Sequence, residues 1–278
     1  ATSSMSLFNA IESLDHVTLT GTDVSGWNID APKVALQDGS MTFAGKYSEP
    51  DYELLTSKGC EIAIESTMIF HTPQVKEMLE DLGIPVFVDR SSYEGNPLGR
   101  TEWIRLYGAL MDKEDTADRL FGAQRENFTA AEKYEDTGKT AAIFSMRPDG
   151  TVRIRVSDDY IVYMLKAAGG EYVFEGEEPE GNTKEVYQIS MEEFYSKAAD
   201  ADYLVYNAAN ADEISGKKEL LDMNELFEDF KAFKEGNVWQ CDKRLYQSTD
   251  IVTMLVSDFH TMLTATDATG LTFLRKLE

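Results

Sequence analysis

Apolar and polar positions follow two repeating patterns along the chain. Segments with apolar residues at helical spacing, such as TPQVKEMLEDLG at 72–83, alternate with short apolar runs such as CEIAIEST and IPVFVD. The first pattern predicts amphipathic helices and the second predicts buried strands. Alternation of strands with helices of about ten residues favours an α/β protein whose sheets are mainly parallel.

The second half of the chain shows the same alternation of predicted helices and strands. KTAAIFSM and TVRIRV flank the turn sequence RPDG, which predicts a hairpin. The segments YELLTSKGCEIAIES at 52–66 and EFYSKAADADYLVYN at 193–207 also follow one template of helix, polar turn and apolar strand. Two interpretations stay open: any two such units look alike, or two similar lobes face each other across a cleft.

A long helical segment lies between these halves. Trp103, Leu106 and Leu110 begin its apolar face and Leu120 and Phe128 continue it, with the charged run DKED at 112–115 as the place for a small break. The predicted fold is therefore α/β, with two Rossmann-like lobes and mainly parallel sheets joined by a single long backbone helix. The predicted division is an N-terminal ligand-binding lobe at 1–97, an interlobe backbone helix at 98–137 and a C-terminal ligand-binding lobe at 138–278.

Composition narrows the classes of protein. The chain has 278 residues, and 42% hydrophobic content allows two lobes with sizeable cores. A formal net charge of -24 opposes binding to a phosphate backbone, so nucleic acid is not an expected partner. Two distant cysteines exclude a disulfide framework and a cysteine metal site. The opening ATSSMSLFNAIESL lacks the features of a signal peptide and reads as a strand-end turn entering a helix, which predicts native residues before Ala1.

Several segments, taken in order, resemble one known family. PDYELLTSKGCEIAIEST is followed by LEDLGIPVFVD, then by LYGALMDKEDTA at 106–117, and later by ADYLVYN at 201–207 and FKAFKEGNVW at 230–239. In this order and spacing they resemble the substrate-binding proteins of ABC importers for iron–siderophore, haem and cobalamin ligands. Each segment alone is a weak indicator, but the resemblance covers nearly all of 1–265.

The resemblance implies a function and partners. Such a protein captures an iron chelate, haem or cobalamin-like ligand between two lobes joined by a rigid helix and delivers it to an ABC permease. It implies a monomer without intrinsic cofactor, held by a lipid anchor on the extracellular face of the membrane or free in a periplasm. The family docks on its permease through one surface acid per lobe. Because Thr72–Pro73–Gln74 stands where the first-lobe acid is expected, the candidates are substitutes: Glu77 and Glu102 in the first lobe, and Glu192 or Glu193 in the second.

Candidate ligand-binding residues follow from a general rule for open α/β sheets, whose ligands bind at the carboxyl ends of the strands. Tyrosines there can stack on a flat ligand, and arginines can pair with carboxylates, although a structural ion pair is the alternative for each arginine. The first-lobe candidates are Met5, Tyr47, Met68, His71, Arg90, Ser92 and Tyr93, and the second-lobe candidates are Arg147, Asn207, Arg244 and Tyr246.

The sequence contains no familiar catalytic signature. A nucleophile elbow, a phosphate-binding glycine loop and a zinc-protease motif are all missing from it. No catalytic residue and no metal site are expected, but if the cargo is haem, the candidate iron ligands are His71, Met68, Tyr47 and Tyr93. Two alternatives to a solute receptor stay open: a metal-cofactor enzyme on a similar bilobed, nitrogenase-like frame, and an interaction scaffold.

Overall fold

The computed structural model describes residues 1–131 and 133–278. It has a mixed α/β architecture, as the alternating pattern predicts. The helices are α1 (Met5–Ala10), α2 (Asp30–Asp38), α3 (Tyr52–Ser57), α4 (Pro73–Asp81), α5 (Pro97–Leu110), α6 (Glu114–Ala131), α7 (Tyr160–Ala167), α8 (Met191–Ala198), α9 (Lys217–Met223), α10 (Lys231–Glu235) and α11 (Met254–Thr264). The strands are β1 (Leu19–Thr20), β2 (Thr42–Phe43), β3 (Gly45–Lys46), β4 (Glu49–Pro50), β5 (Ala63–Ser66), β6 (Val86–Asp89), β7 (Lys139–Met146), β8 (Val152–Arg155), β9 (Gly170–Tyr172), β10 (Val186–Ile189), β11 (Tyr203–Asn207), β12 (Val238–Cys241) and β13 (Leu274–Lys276).

The described residues form two compact units. The first contains Ala1–Glu94, Gly99–Gly122 and Gln247–Asp250, and the second contains Gly95–Leu98, Ala123–Tyr246 and Ile251–Glu278. One of the places where the chain passes from the first unit to the second, Gly122 to Ala123, lies inside α6. The three-part division predicted at 1–97, 98–137 and 138–278 stays a prediction.

Short sheets form the frame of the first unit. β1 pairs with β2 and β5 with β6, both in parallel, and β3 pairs with β4 in an antiparallel hairpin. Ile69, Val75 and Leu79 pack in an apolar cluster beneath β5 and β6. A second cluster contains Met5 and Trp27. The sequence predicts CEIAIEST as a buried strand, but all four residues of β5 are only half-buried.

A larger sheet organises the second unit, with the order β10-β8-β7-β11-β12-β13. β7, β11 and β12 are parallel, β9 pairs in parallel with the first half of β7, and β8 pairs with its second half. The β7–β8 pair confirms the hairpin predicted around RPDG. Phenylalanines from a strand and helices pack against one another at this sheet, with the Phe144 and Phe194 ring centroids 4.8 Å apart and the ring planes tilted by 38°.

The segment predicted as a single helix over 98–137 is two helices. α5 ends at Leu110 through a reversal in which Asp112 adopts a left-handed conformation (φ 56°) and the Lys113 N–H donates to the Gly108 carbonyl at 2.8 Å. This is the bond that closes a Schellman-type helix end. The break falls within the charged run at 112–115. The sequence does not fix the position of the break more closely, because aspartate marks a left-handed residue much less strongly than glycine does. α6 ends at Ala131, and residue 132, inside the predicted helix, lies outside the described residues.

The two helices pack closely on each other beside this turn. A Cβ placed on Gly108 would lie 2.5 Å from the Ala117 Cβ. Arg105 on α5 donates to Asp118 on α6 at 2.6 Å and lies over the Phe121 ring at 5.0 Å. Residues nine positions apart in one straight helix would lie about 13 Å apart, so these contacts require the reversal. Of the helices in the described ranges, none has the length and apolar character needed to cross a bilayer.

Two glycine substitutions test this helix contact. We expect Gly108→Ala to lower the free energy of unfolding by about 1–3 kcal/mol, because the added methyl has no space against Ala117. Gly122→Ala on α6 is the matched control, since a Cβ there meets nothing within 4 Å. It should raise the free energy of unfolding by about 0.5–1 kcal/mol through helix propensity. Urea denaturation measures both, and equal effects of the two changes would refute the close contact.

Candidate functional site

The carboxyl ends of β5 and β6 meet at one edge of the first unit. The two strands are parallel, and Ser66 is the register partner of Asp89. A 3₁₀ turn, Thr67–His71, follows β5 and another, Ser91–Tyr93, follows β6. A third turn, Thr2–Ser4, contacts Ser91–Tyr93. The three turns form the kind of strand-end surface on which α/β proteins bind ligands.

A buried carboxylate anchors this edge. Asp89 is 2% exposed, and its Oδ1 accepts hydrogen bonds from the Ser91 N–H at 2.9 Å and from the Ser91 hydroxyl at 2.6 Å. Its Oδ2 accepts a hydrogen bond from the Tyr107 hydroxyl. Because the one hydroxyl hydrogen of Ser91 is used on Asp89, the hydroxyl of Ser3, 3.1 Å away, must be the donor toward Ser91. Strand, turn and helix α5 are therefore joined at one charge.

Tyr107 contributes this bond from inside the protein. Its side chain is fully buried, and its ring lies 4.7 Å from that of Phe8. Burial, together with the neighbouring Asp89 carboxylate, raises the pKa of Tyr107 well above its usual range. The hydroxyl therefore stays protonated at any physiological pH and remains a permanent donor to Asp89.

Arg100 holds the same loop from the direction of α5. Its Nε donates to the Glu94 carbonyl at 2.8 Å and its Nη2 to the Ser92 carbonyl at 2.5 Å. Arg100 is 5% exposed, so its guanidinium is shielded from solvent while it donates to the loop backbone. The Trp103 Nε1 donates to the Glu94 carboxylate at 3.1 Å, which adds a further tie between helix and loop.

The outward side of these turns carries aromatic and apolar side chains. Tyr93 is 59% exposed, Phe70 56% and Met68 44%. The Tyr93 hydroxyl is 2.7 Å from the Thr67 hydroxyl, which ties one turn to the other. The Arg90 guanidinium lies 5.7 Å from the centre of the Tyr93 ring, and no ion pair of Arg90 is found within the described ranges. The surface combines a stacking face with a cation.

The sequence missed Phe70 and Thr67 in this group. The position of Phe70 in the turn that follows β5, four residues after the strand ends, was the available indication for it. Thr67 had no such indication, because its role depends on Tyr93, 26 positions further along the chain.

The other first-unit candidates lie in varied surroundings. His71 is exposed at the end of its turn, and Ser92 is half-buried with its carbonyl held by Arg100. Tyr47 is half-buried next to the β3–β4 hairpin. Met5 is 5% exposed and packs with Trp27, so the structure places it in the core and not on the surface.

The second-unit candidates follow parallel strands, but their polar groups have local partners. Arg147 lies in the β7–β8 turn, with its Nε 3.4 Å from the Asp149 carboxylate. Arg244 pairs with Asp242 at 2.8 Å and also donates to the Thr272 carbonyl. Asn207 is buried and caps the turn after β11 by accepting from the Ala209 N–H. Tyr246 is half-buried and lies two residues after Arg244 in the chain. Local ion pairs are thus the observed state of both arginines.

The four acids considered for permease docking are all exposed. Glu77 lies on α4, and Glu192 and Glu193 lie in the first turn of α8. Glu102 on α5 is 3.1 Å from Arg105, an exposed ion pair. Their roles stay predictions.

Metal-binding and thiol chemistry find no support in the described part of the chain. No group of three or more His, Cys, Asp and Glu side chains in it is arranged to hold a metal ion. Burial raises the pKa of the Cys60 and Cys241 thiols, which disfavours the reactive thiolate.

Comparison with protein families gives a match over most of the chain. Residues 6–245 match the family model described as "Periplasmic binding protein". An uncharacterized lipoprotein of Methanocaldococcus jannaschii is 25% identical over 220 residues, which is 77% of this chain and 50% of that protein. The chain thus spans half the length of this relative.

Solved structures of low sequence identity have a similar fold. The periplasmic haem binding protein HutB of Vibrio cholerae superposes with a TM-score of 0.72 at 14% identity, covering 92% of this chain and 95% of that one. A structure described as an ABC-type Fe3+-hydroxamate transport system from Saccharomonospora viridis gives 0.68 at 17% identity, with 95% and 91% coverage. At such identities the likeness shows the fold alone.

Removal of one hydroxyl tests the anchored carboxylate. We expect Tyr107→Phe to lower the free energy of unfolding by about 1.5–3 kcal/mol, because the buried Asp89 carboxylate loses a donor. Tyr163→Phe is the control, since that side chain is 43% exposed and should change the free energy by less than about 0.5 kcal/mol. Urea denaturation at neutral pH measures both. A Tyr107→Phe protein as stable as the control variant would contradict the proposed importance of this bond.

Proposed function

The chain belongs to the periplasmic binding protein family, and we propose that it is the solute receptor of an ABC importer for a metal chelate. The match over 6–245 confirms the family resemblance inferred from the sequence. The family consists of binding proteins and not of enzymes, and nothing favours the enzyme alternative. The proposed cargo is an iron complex, either haem or a siderophore, or a cobalamin-like ligand.

The observation that carries this proposal is the outward surface of the β5 and β6 strand ends. Tyr93 and Phe70 offer exposed rings, Met68 offers a polarizable side chain, and Arg90 lies against Tyr93. Flat conjugated ligands stack on such rings, and a guanidinium pairs with the carboxylates or anionic oxygens that haem and many iron chelates carry. The structural similarity to a haem binding protein and to an Fe3+-hydroxamate transport system supports this choice of cargo.

The ligand also needs groups outside this surface. We propose that Arg147, Asn207, Arg244 and Tyr246 of the second unit contribute them, with the arginines exchanging local acid partners for ligand oxygens. Because Arg147 and Arg244 are both partly exposed, the exchange of partners leaves neither arginine as a buried charge without a partner. Capture of the ligand between two lobes stays a prediction of the resemblance.

The proposed partner is a membrane permease. One acid per unit is the proposed contact, from Glu77 or Glu102 in the first and Glu192 or Glu193 in the second. We propose a monomer at the extracellular face of the membrane or in a periplasm, and the lipoprotein name of the archaeal relative supports a lipid anchor.

A binding screen tests the proposed cargo class. Purified protein is mixed with hemin, cyanocobalamin and a ferric hydroxamate complex, and native mass spectrometry is recorded for each. We expect a one-to-one complex with at least one of the three. If none of the three binds, the metal-chelate proposal is wrong, whereas the family assignment is unaffected.

A substitution tests the role of the cation at the surface. We expect Arg90→Ala to weaken binding of the chelate found in the screen by about tenfold or more, since a charge-assisted contact is lost. Arg119→Ala removes the same charge from an exposed position of α6 and should leave the affinity unchanged. Absorbance or calorimetric titration measures both, with thermal unfolding as a check on folding. Equal affinities of the two variants would refute the proposed role of Arg90 in ligand binding.

A further inference from the structure

The loop at 90–94 has an inner side and an outer side with different tasks. Its carbonyls at Ser92 and Glu94 face α5 and accept from Arg100, whereas the Arg90 and Tyr93 side chains lie on the exposed side. The inner contacts and the outer ones therefore use different atoms of the same five residues. This separation allows one residue to control the loop's shape without touching the ligand.

We propose that Arg100 is a positioning residue, which preorganises loop 90–94 so that Arg90 and Tyr93 are held in their binding arrangement before ligand arrives. The inference rests on the proposed function. Arg100 itself is buried, and its guanidinium is directed to the loop backbone, so it acts through the loop and not by contact with cargo.

The loop's own backbone offers little rigidity. Within 90–94 the Tyr93 N–H donates to the Arg90 carbonyl at 2.9 Å, and the Glu94 N–H donates to the Ser91 carbonyl at 3.3 Å. A single 3₁₀ turn of this kind is weakly stable, and ordering each residue costs roughly 1–2 kcal/mol of conformational entropy. External contacts are therefore required to keep the loop in one conformation.

Two of the external supports act at opposite ends of the loop. Asp89 and Ser91 fix its beginning at the end of β6. Arg100 fixes its end, where the guanidinium fork reaches two carbonyls at once. Planar guanidinium geometry suits this arrangement, and a lysine ammonium at the same position can serve only one of the two carbonyls well. Tyr93 lies two residues after Ser91, between the two residues whose carbonyls accept from Arg100, and therefore depends on the Arg100 support.

The consequence for binding follows from the population of the competent loop. When only a fraction of molecules holds the binding conformation, the apparent dissociation constant rises by the reciprocal of that fraction. If loss of Arg100 leaves the loop competent in about one tenth of the molecules, the apparent dissociation constant rises about tenfold. A residue that only stabilised the unit as a whole would not change affinity at temperatures where the variant is fully folded.

The experiment compares Arg100→Ala and Arg100→Lys with wild type and with Arg119→Ala. Amide hydrogen exchange of the peptide containing residues 91–94 is measured on unliganded protein, with a peptide from α4 as internal reference. Hemin, cyanocobalamin and the ferric hydroxamate complex are then titrated into each variant. We expect exchange in the loop to accelerate by about tenfold or more in Arg100→Ala, with the α4 peptide unchanged. Affinity should fall in parallel, and Arg100→Lys should recover part of both changes.

The outcomes separate this inference from the proposed function. If wild type binds a chelate and Arg100→Ala binds equally well, or if its loop exchanges no faster than in wild type, the positioning role is wrong. If Arg100→Ala does not fold, the positioning role is tested by comparing loop exchange and affinity of Arg100→Lys with those of wild type. Unprotected Tyr93 and Glu94 amides in wild type, or a Lys variant identical to wild type in both measurements, would overturn the role. Failure of wild type to bind any of the three chelates overturns the proposed function, and the ligand-positioning role with it, whatever the exchange data show.

Discussion

The buried carboxylate of Asp89 is the constraint on which the candidate site depends. A charge removed from water is tolerated only where hydrogen bonds replace its hydration, and here the donors come from the turn after β6 and from α5. Satisfying this one group thus requires the strand end, the turn and the helix to keep a single relative arrangement. Tyr107 can fill its part because burial keeps its hydroxyl protonated. The rigid edge that results is the base for the exposed side chains above it.

The same edge separates structural polar groups from available ones. Asp89, Ser91 and Arg100 are nearly inaccessible and have their hydrogen-bonding groups directed at the protein. Tyr93 and Arg90, from the same short segment, are exposed. A site built in this way places recognition on side chains and support on backbone and buried groups. Changes in the exposed residues can then alter which chelate binds without loss of the supporting contacts.

The excess of acidic residues determines which partners most arginines at strand ends find. With 50 acidic residues against 26 basic ones, a cation at a turn commonly finds a carboxylate close by in the chain. Arg147 and Arg244 have such partners two residues away. Arg90 lies instead against an aromatic ring, where its charge is less fully neutralised. This difference makes Arg90 the most available of these three arginines for an anionic ligand.

Local pattern was sufficient for much of the fold. Period-two and helical spacing placed the β7–β8 hairpin and the β5, α4, β6 succession close to their observed positions. The order of these segments also indicated the family, and the charged run at 112–115 indicated the place of a small break, but not the full chain reversal between α5 and α6. The strand-end rule placed Arg90 and Tyr93 on the outer surface, but it also selected Met5, which is a core residue.

What the sequence determined by itself was the alternation of elements, and with it the strand ends where a ligand can bind. Only the tertiary structure decided which polar residues support that surface and which are free to face a ligand. Asp89 is satisfied by Tyr107, 18 positions away, and Arg100 by two backbone carbonyls. A backbone carbonyl is the same group in every residue, so its selection as a partner leaves no mark in the sequence. Such partnerships are set by the packing of α5 against the turn after β6, which no local pattern encodes.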